Sequence, residues 1–129
     1  MKGDISPDLG SDTLLFSGYD DGYIQIHNNR YETGLSVHGG KVSAPWGPRR
    51  LRDLMPEHLS GFIEQAPEVL LIGTGRLTAF PCPAVLDYLA EQHIGFECMD
   101  SRAAARTYNI LIGEGRRVSI AMLLPGARN

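Results

Sequence analysis

The chain has 129 residues, 43% of them hydrophobic, which predicts one domain with a single core. Its formal net charge of -3 argues against a general nucleic-acid binder, because such proteins carry a surplus of Lys and Arg that neutralises phosphates. No apolar run reaches the roughly 20 residues that a membrane span requires, and the start lacks an apolar signal core, so we expect a cytoplasmic protein.

Residues 1–12 are polar and contain Pro7 and Gly10, which predicts a flexible arm before a single α/β domain over 13–129. Residues 14–16 and 23–26 are typical of strands, and the segment 18–22 between them has the Asp-Gly chemistry of a tight turn. Residues 34–38 and 41–43 alternate around Gly39 and Gly40, another hairpin pattern. We expect these strands to form a small amino-terminal antiparallel β layer.

The middle of the chain predicts a helix. Five apolar side chains recur there at mostly helical spacing, and Pro56 can open the main helix at its first turn. They are Leu51, Leu54, Leu59, Phe62 and Ile63. Pro67 prevents this helix from continuing into the next strand.

The second half alternates strands and helices. Residues 69–72 form an apolar run typical of a strand buried on both faces, a helix begins near Pro83, and residues 94–99 alternate as the next strand. Asp100 or Ser101 can cap a following helix that ends at Gly113 and Gly115, before a last apolar strand within 118–124. Short right-handed crossovers then place the strands at 69 and 95 side by side and parallel in a layered α/β core.

The loop Gly73-Thr74-Gly75-Arg76 follows a strand as a dinucleotide-binding fingerprint does, and Asp100 lies where a ribose-binding acid would lie. Thr78 replaces the third glycine, and a Pro-rich segment delays the helix. The pattern therefore favours a structural turn, and we expect no cofactor. The two cysteines, Cys82 and Cys98, lack metal-type spacing, so we expect no metal either.

Five arginines form the second candidate group: Arg76, Arg102, Arg106, Arg116 and Arg117, the last two entering the final strand. Arg102 and Arg106 are one helical turn apart, and Arg76 would join them if the loops at the carboxyl ends of the strands converge. Guanidinium groups and backbone amides both bind oxyanions, so these residues could hold a carboxylate or phosphate. The alternative is surface pairing of Arg102 and Arg106 with Asp100, Glu97 or Glu114.

Tyr108 and Asn109 form the third group, and we expect them to pin their helix onto the glycine loop. No base, nucleophile or Gly-x-Ser-x-Gly elbow accompanies them, which argues against an enzyme and leaves no catalytic residue to name.

Charge is distributed unevenly along the chain. Residues 1–32 contain six acids against Lys2 and Arg30, whereas residues 101–129 contain five arginines against Glu114. This distribution predicts either two faces of opposite potential, suited to docking on another protein, or an ordinary solvated surface.

The motifs 70–75, 95–100, 106–109 and 114–116 resemble the domain-of-unknown-function family that includes mitochondrial NADH:ubiquinone oxidoreductase complex assembly factor 3 and many small bacterial and archaeal proteins. The resemblance implies a three-layer α/β domain. Its central sheet would be mixed and five-stranded, with the last strand antiparallel to the rest, and would carry helices and the small amino-terminal β layer.

Three functional hypotheses follow. The resemblance favours a non-enzymatic assembly factor that binds protein partners, for example in a membrane-associated complex, and is itself a monomer or weak homodimer. A small-anion or phosphate-binding domain, either a binding protein or an enzyme, would use Gly73, Thr74, Gly75, Arg76, Arg102 and Arg106. A structural subunit that dimerises through the small β layer is the third hypothesis.

Overall fold

A computed structural model describes residues 13–129, and the arm predicted for residues 1–12 lies outside the described part. The strands are β1 (Phe16–Asp20), β2 (Tyr23–Ile26), β3 (Asn29–Tyr31), β4 (Leu35–His38), β5 (Lys41–Ser43), β6 (Val69–Gly73), β7 (Phe96–Met99) and β8 (Val118–Met122). The α-helices are α1 (Pro83–Glu91) and α2 (Ser101–Gly113), and short 3₁₀ helices span Leu51–Asp53 and Pro56–Phe62. Neither α-helix has the length and hydrophobicity needed to cross a membrane.

The five-stranded mixed sheet is confirmed, with the spatial order β5-β4-β8-β6-β7. Strand β6 lies parallel to both β7 and β8, as the crossover argument predicts for the first of these pairs. The expectation that the last strand is antiparallel to the rest is wrong. Helix α2 carries the chain back across the sheet, so β8 enters from the same edge as β6, and β4 is instead the strand antiparallel to its neighbours.

The amino-terminal β layer is smaller than predicted. Strands β1, β2 and β3 form a three-stranded antiparallel sheet, but the β4–β5 hairpin belongs to the central sheet through β8. Leu35 and Val37 are buried in β4, so pairing with β8 places them in the main core. The first turn is also shorter than predicted, because β1 continues to Asp20 and pairs there with Tyr23.

The central sheet is covered on both faces, which gives three layers. Side chains at alternate positions of β6 and β8, such as Leu71 and Ile120, pack with α2 and the three-stranded sheet. The intervening positions, such as Leu70 and Ala121, pack with α1 and the 3₁₀ helices. Strands β6 and β8 are buried along their whole length, as their apolar runs predict.

The helix expected around Pro56 is replaced by the two 3₁₀ helices. Leu51 and Leu54 are three residues apart, as are Leu59 and Phe62, and all four are buried. Three residues make one turn of a 3₁₀ helix, so each pair lies on one side facing the core.

Candidate functional site

The glycine loop follows β6 and is shaped by close packing. A Cβ atom at Gly73 would lie 2.6 Å from Met122 Cβ. Gly75 has a φ of +100°, and a Cβ there would lie 2.6 Å from the carbonyl oxygen of Ala127. The two glycines are therefore explained by the approach of the chain to itself.

The backbone amides of the loop already have partners within the chain. Thr74 N donates to Met99 O at 2.8 Å, Gly75 N to Ser101 Oγ at 2.9 Å, and Arg76 N to Ala127 O at 2.9 Å. The Thr74 hydroxyl donates to the carbonyl oxygens of Leu77 and Met99. In this conformation an oxyanion would have to displace these bonds to reach the amides.

Ser101 holds the loop in place, a role that the sequence reasoning missed. Its hydroxyl is fully buried, accepts from Gly75 N and donates to the carbonyl oxygen of Leu123 at 2.7 Å. The helix cap is Asp100, whose carboxylate accepts from Ala103 N. Asp100 also donates its backbone N–H to the Thr78 hydroxyl, so the residue considered for ribose binding ties the helix to the loop.

Arg76 and Arg102 come together at the carboxyl edge of the sheet, and Asp21 lies between them. Arg102 Nη2 is 2.7 Å from Asp21 Oδ1, and Arg76 Nη2 is 3.2 Å from Asp21 Oδ2. Asp20 lies 3.6 Å from the same Arg102 nitrogen. The alternative of a surface ion pair for Arg102 is confirmed, but its partners are wrong, because the acids are Asp20 and Asp21 from β1 and the β1–β2 turn and not Asp100, Glu97 or Glu114.

The two arginines alter the ionisation of Asp21. The hydrogen bond from Arg102 and then the charge of Arg76 lower the pKa of the Asp21 carboxyl below its usual value. The same hydrogen bond raises the pKa of Arg102. The side chain of Asp21 is 53% exposed, so Asp21, Arg76 and Arg102 form a solvated surface cluster. The Asp21 carboxylate occupies the position between the two arginines that a bound anion would need.

Arg106, Tyr108 and Asn109 do not contact the glycine loop. Arg106 Nη1 donates to the Tyr19 hydroxyl at 2.7 Å, and the Tyr108 ring packs edge-on against Phe16. Asn109 Nδ2 donates to Phe16 O at 2.8 Å, and Asn109 Oδ1 accepts from Phe16 N at 2.9 Å. The prediction that Tyr108 and Asn109 attach α2 to the glycine loop is wrong, because they attach α2 to β1.

A cavity of about 530 Å³ lies beside the loop at the carboxyl edge. Its wall includes Asp21, Glu32, Trp46, Arg49 and Arg76. Clefts at the carboxyl ends of parallel strands are the usual ligand sites of α/β sheets. Among residues 13–129, no three His, Cys, Asp or Glu side chains are grouped so that they could hold a metal ion.

The loop beyond Arg76 presents apolar side chains to solvent. Leu77 is 62% exposed and Phe80 is 73% exposed. The loop is tethered by the bonds of Arg76 N to Ala127 and of Asp100 N to Thr78. We call Leu77 and Phe80, with the neighbouring Arg76 and Arg102, the loop surface.

Comparisons with known proteins agree with this architecture. An uncharacterised protein of Rhodobacter capsulatus is 34% identical, over 88% of each chain. NADH dehydrogenase [ubiquinone] 1 alpha subcomplex assembly factor 3 of Xenopus tropicalis is 30% identical over 71% of this chain. The match spans 56% of that relative's length. A crystal structure of a Bordetella parapertussis protein is 39% identical, with a TM-score of 0.77, and covers 86% of this chain and 95% of its own.

The model of one protein family, described as a protein of unknown function (DUF498/DUF598), matches residues 16–123. This match runs from the first residue of β1 to the residue after β8, and so includes both sheets, both α-helices and the glycine loop. The chain therefore belongs to the DUF498/DUF598 family.

Proposed function

We propose that this protein is a non-enzymatic binding factor that docks on a protein partner through the loop surface. The observation that carries the proposal is the exposure of Leu77 and Phe80 on a hydrogen-bonded loop. Exposing a large aromatic side chain to water is unfavourable. An exposed apolar side chain on an ordered loop, surrounded by charged residues, is typical of a residue that anchors a protein interface. Since the loop is already ordered, binding would cost little conformational entropy.

The names of the relatives support a protein as the partner. Several of them are named as assembly factors of NADH dehydrogenase, which places their action on protein subunits. By analogy, the partner of this chain would be a subunit or a second factor of a membrane-associated complex. Arg76 and Arg102 are balanced by Asp20 and Asp21, so the exposed apolar side chains Leu77 and Phe80, and not a surplus of charge, would select the partner.

The test is affinity purification of the tagged chain from gently solubilised cells, with quantitative mass spectrometry. Phe80→Ser should remove the enriched complex subunits, whereas Ile110→Ser should retain them, because Ile110 is 61% exposed on α2 outside the loop surface. Arg102→Ala combined with Arg106→Ala serves as a charge variant. Equal recovery of subunits with Phe80→Ser and Ile110→Ser would refute docking through this loop.

A second candidate function is small-anion binding in the carboxyl-edge cavity, favoured by the presence of both Arg49 and Arg76 in its wall. Phosphates and nucleotides should then raise the melting temperature, and Arg76→Ala should abolish the shift. Asp21→Asn should increase it, because the internal competitor for Arg76 is neutralised. No shift with any of these anions would rule this candidate out.

A further inference from the structure

A second cavity, of about 580 Å³, lies at the amino edge of the parallel strands, away from the loop surface. We call it the amino-edge cavity. Four apolar residues contribute to its wall: Leu14, Pro67, Ile112 and Val118. Its volume falls in the range of about 300–1,000 Å³ that is usual for small-molecule sites, and a largely apolar wall favours an apolar ligand body.

The wall includes a buried phenol, Tyr108, that has no hydrogen-bond partner in the described part of the chain. Tyr108 is 4% exposed and lines the cavity, and its hydroxyl makes no hydrogen bond to any residue between 13 and 129. Burial raises the pKa of Tyr108 to about 12, so the hydroxyl keeps its proton at neutral pH. An acceptor atom of a ligand in the cavity could accept a hydrogen bond from this hydroxyl.

The hydroxyl of Ser119 in the same wall is already engaged. His38 Nε2 lies 2.8 Å from the carbonyl oxygen of Glu64, which can only accept, so this nitrogen carries a proton. In the neutral imidazole Nδ1 is then an acceptor, and Ser119 Oγ donates to it at 2.6 Å. Tyr108 is therefore better placed than Ser119 to donate to a ligand.

Positive charge also lies in the wall of the cavity. Arg116 and Arg117 line it just after α2 and share one carboxylate, Glu68, at 3.4 and 4.0 Å. One positive charge is thus left over. Tyr108 and Ile112 are four residues apart on α2 and share one face, whereas Arg116 follows the end of the helix at Gly113, so the phenol and the guanidinium lie at different places along the wall.

We propose that the amino-edge cavity binds an amphipathic monocarboxylate, with its carboxylate at Arg116 and Arg117, its apolar body along Ile112 and Val118, and an acceptor oxygen at its inner end bonded to the Tyr108 hydroxyl. This inference is independent of docking through the loop surface, since no residue of that surface lines this cavity. Ten-carbon chains serve as probes of a site that combines an apolar wall with a phenol and two guanidinium groups.

Calorimetric titration with three probes tests the proposal on the whole chain. Monomethyl sebacate carries both a carboxylate and an inner ester oxygen, decanoate carries only the carboxylate, and methyl decanoate carries no charge. Buffer alone is the blank. We expect monomethyl sebacate to bind about fivefold more tightly than decanoate, the gain of one hydrogen bond, and methyl decanoate to bind most weakly.

Variants separate the contributions of the Tyr108 hydroxyl, of the two arginines and of the apolar wall to ligand binding. Tyr108→Phe should remove the fivefold advantage of monomethyl sebacate and leave decanoate unchanged. Arg116→Gln with Arg117→Gln should weaken both acids by about tenfold or more. Ile112→Trp should block both by filling the cavity, whereas Ile110→Trp, at an exposed position of the same helix outside the cavity wall, should bind as wild type.

Three results would overturn the proposal. They are the absence of binding by any probe, equal binding of decanoate and methyl decanoate, and an undiminished advantage of monomethyl sebacate in Tyr108→Phe. The last variant keeps the aromatic ring against Phe16, so it remains informative even if Ile112→Trp does not fold.

Discussion

At the scale of single residues, the glycine loop is explained by contacts that leave no room for a side chain. Gly73 lies against β8 and against Ser101, whose hydroxyl joins the loop to Leu123. Gly75 lies against the carbonyl of Ala127. A pattern that resembles half of a nucleotide fingerprint is thus required by packing alone.

Gly73→Ala should lower the free energy of unfolding by about 1–3 kcal/mol, because the added methyl group overlaps Met122 Cβ and Ser101 Oγ. Urea unfolding measures the effect. Gly113→Ala is the matched control, since a Cβ there has no neighbour within 4 Å. It should be neutral or slightly stabilising. Equal stability of the two variants would contradict the packing explanation.

At the scale of elements, helix α2 lies between the small three-stranded sheet and the central sheet and contacts both. Tyr108 and Asn109 attach it to β1, Arg106 reaches Tyr19 and Arg102 reaches the β1–β2 turn. The small sheet is therefore held to the central sheet through this helix. The polar residues noticed in the sequence are the ones that make this attachment.

Asn109→Ala should destabilise the protein by about 1–3 kcal/mol, because it leaves both the N–H and the carbonyl of Phe16 without their partner. Hydrogen exchange at β1 and β2 should accelerate more than exchange at β6 and β8. Thr107→Ala, a neighbouring change on the same helix, is the control. Uniform acceleration across both sheets would indicate that Asn109 does not act locally.

At the scale of the whole molecule, two acids of the amino-terminal part meet an arginine of the carboxyl-terminal part. Asp20 and Asp21 pair with Arg102, and Asp21 also pairs with Arg76. Of the two alternatives considered, that of two faces of opposite potential does not hold for these residues. The meeting point lies at the carboxyl edge of the sheet, beside the loop surface.

Global stability should fall between pH 9 and 12. Burial raises the pKa of Cys98 from 9.0 to about 11 and that of Tyr108 from 10.0 to about 12. In this range the unfolded chain releases protons that the folded chain retains, so the slope of unfolding free energy against pH is negative. Urea unfolding across the range measures it. Tyr108→Phe and Cys98→Ala should each flatten the decline, and an unchanged slope in the double variant would refute the assignment.

Much of the fold could be predicted from local patterns. The order β6, α1, β7, α2, β8 and the parallel pairing of β6 with β7 follow from apolar periodicity, caps and the crossover rule. The site was predicted less well. Arg76 and Arg102 do converge, yet Asp21, which joins them, was not identified, although the Asp20-Asp21-Gly22 turn and the uneven charge were visible signals.

The sequence by itself determined the strands and helices of the second half and the need for small residues after β6, because periodicity and turn chemistry act between residues close in the chain. Tertiary structure alone decided three other features. They are the pairing of β4 with β8, the attachment of Asn109 to Phe16 across 93 positions, and the internal partner of Arg102 across 81. Such contacts depend on how the layers pack, and no local pattern specifies which distant groups meet when they do.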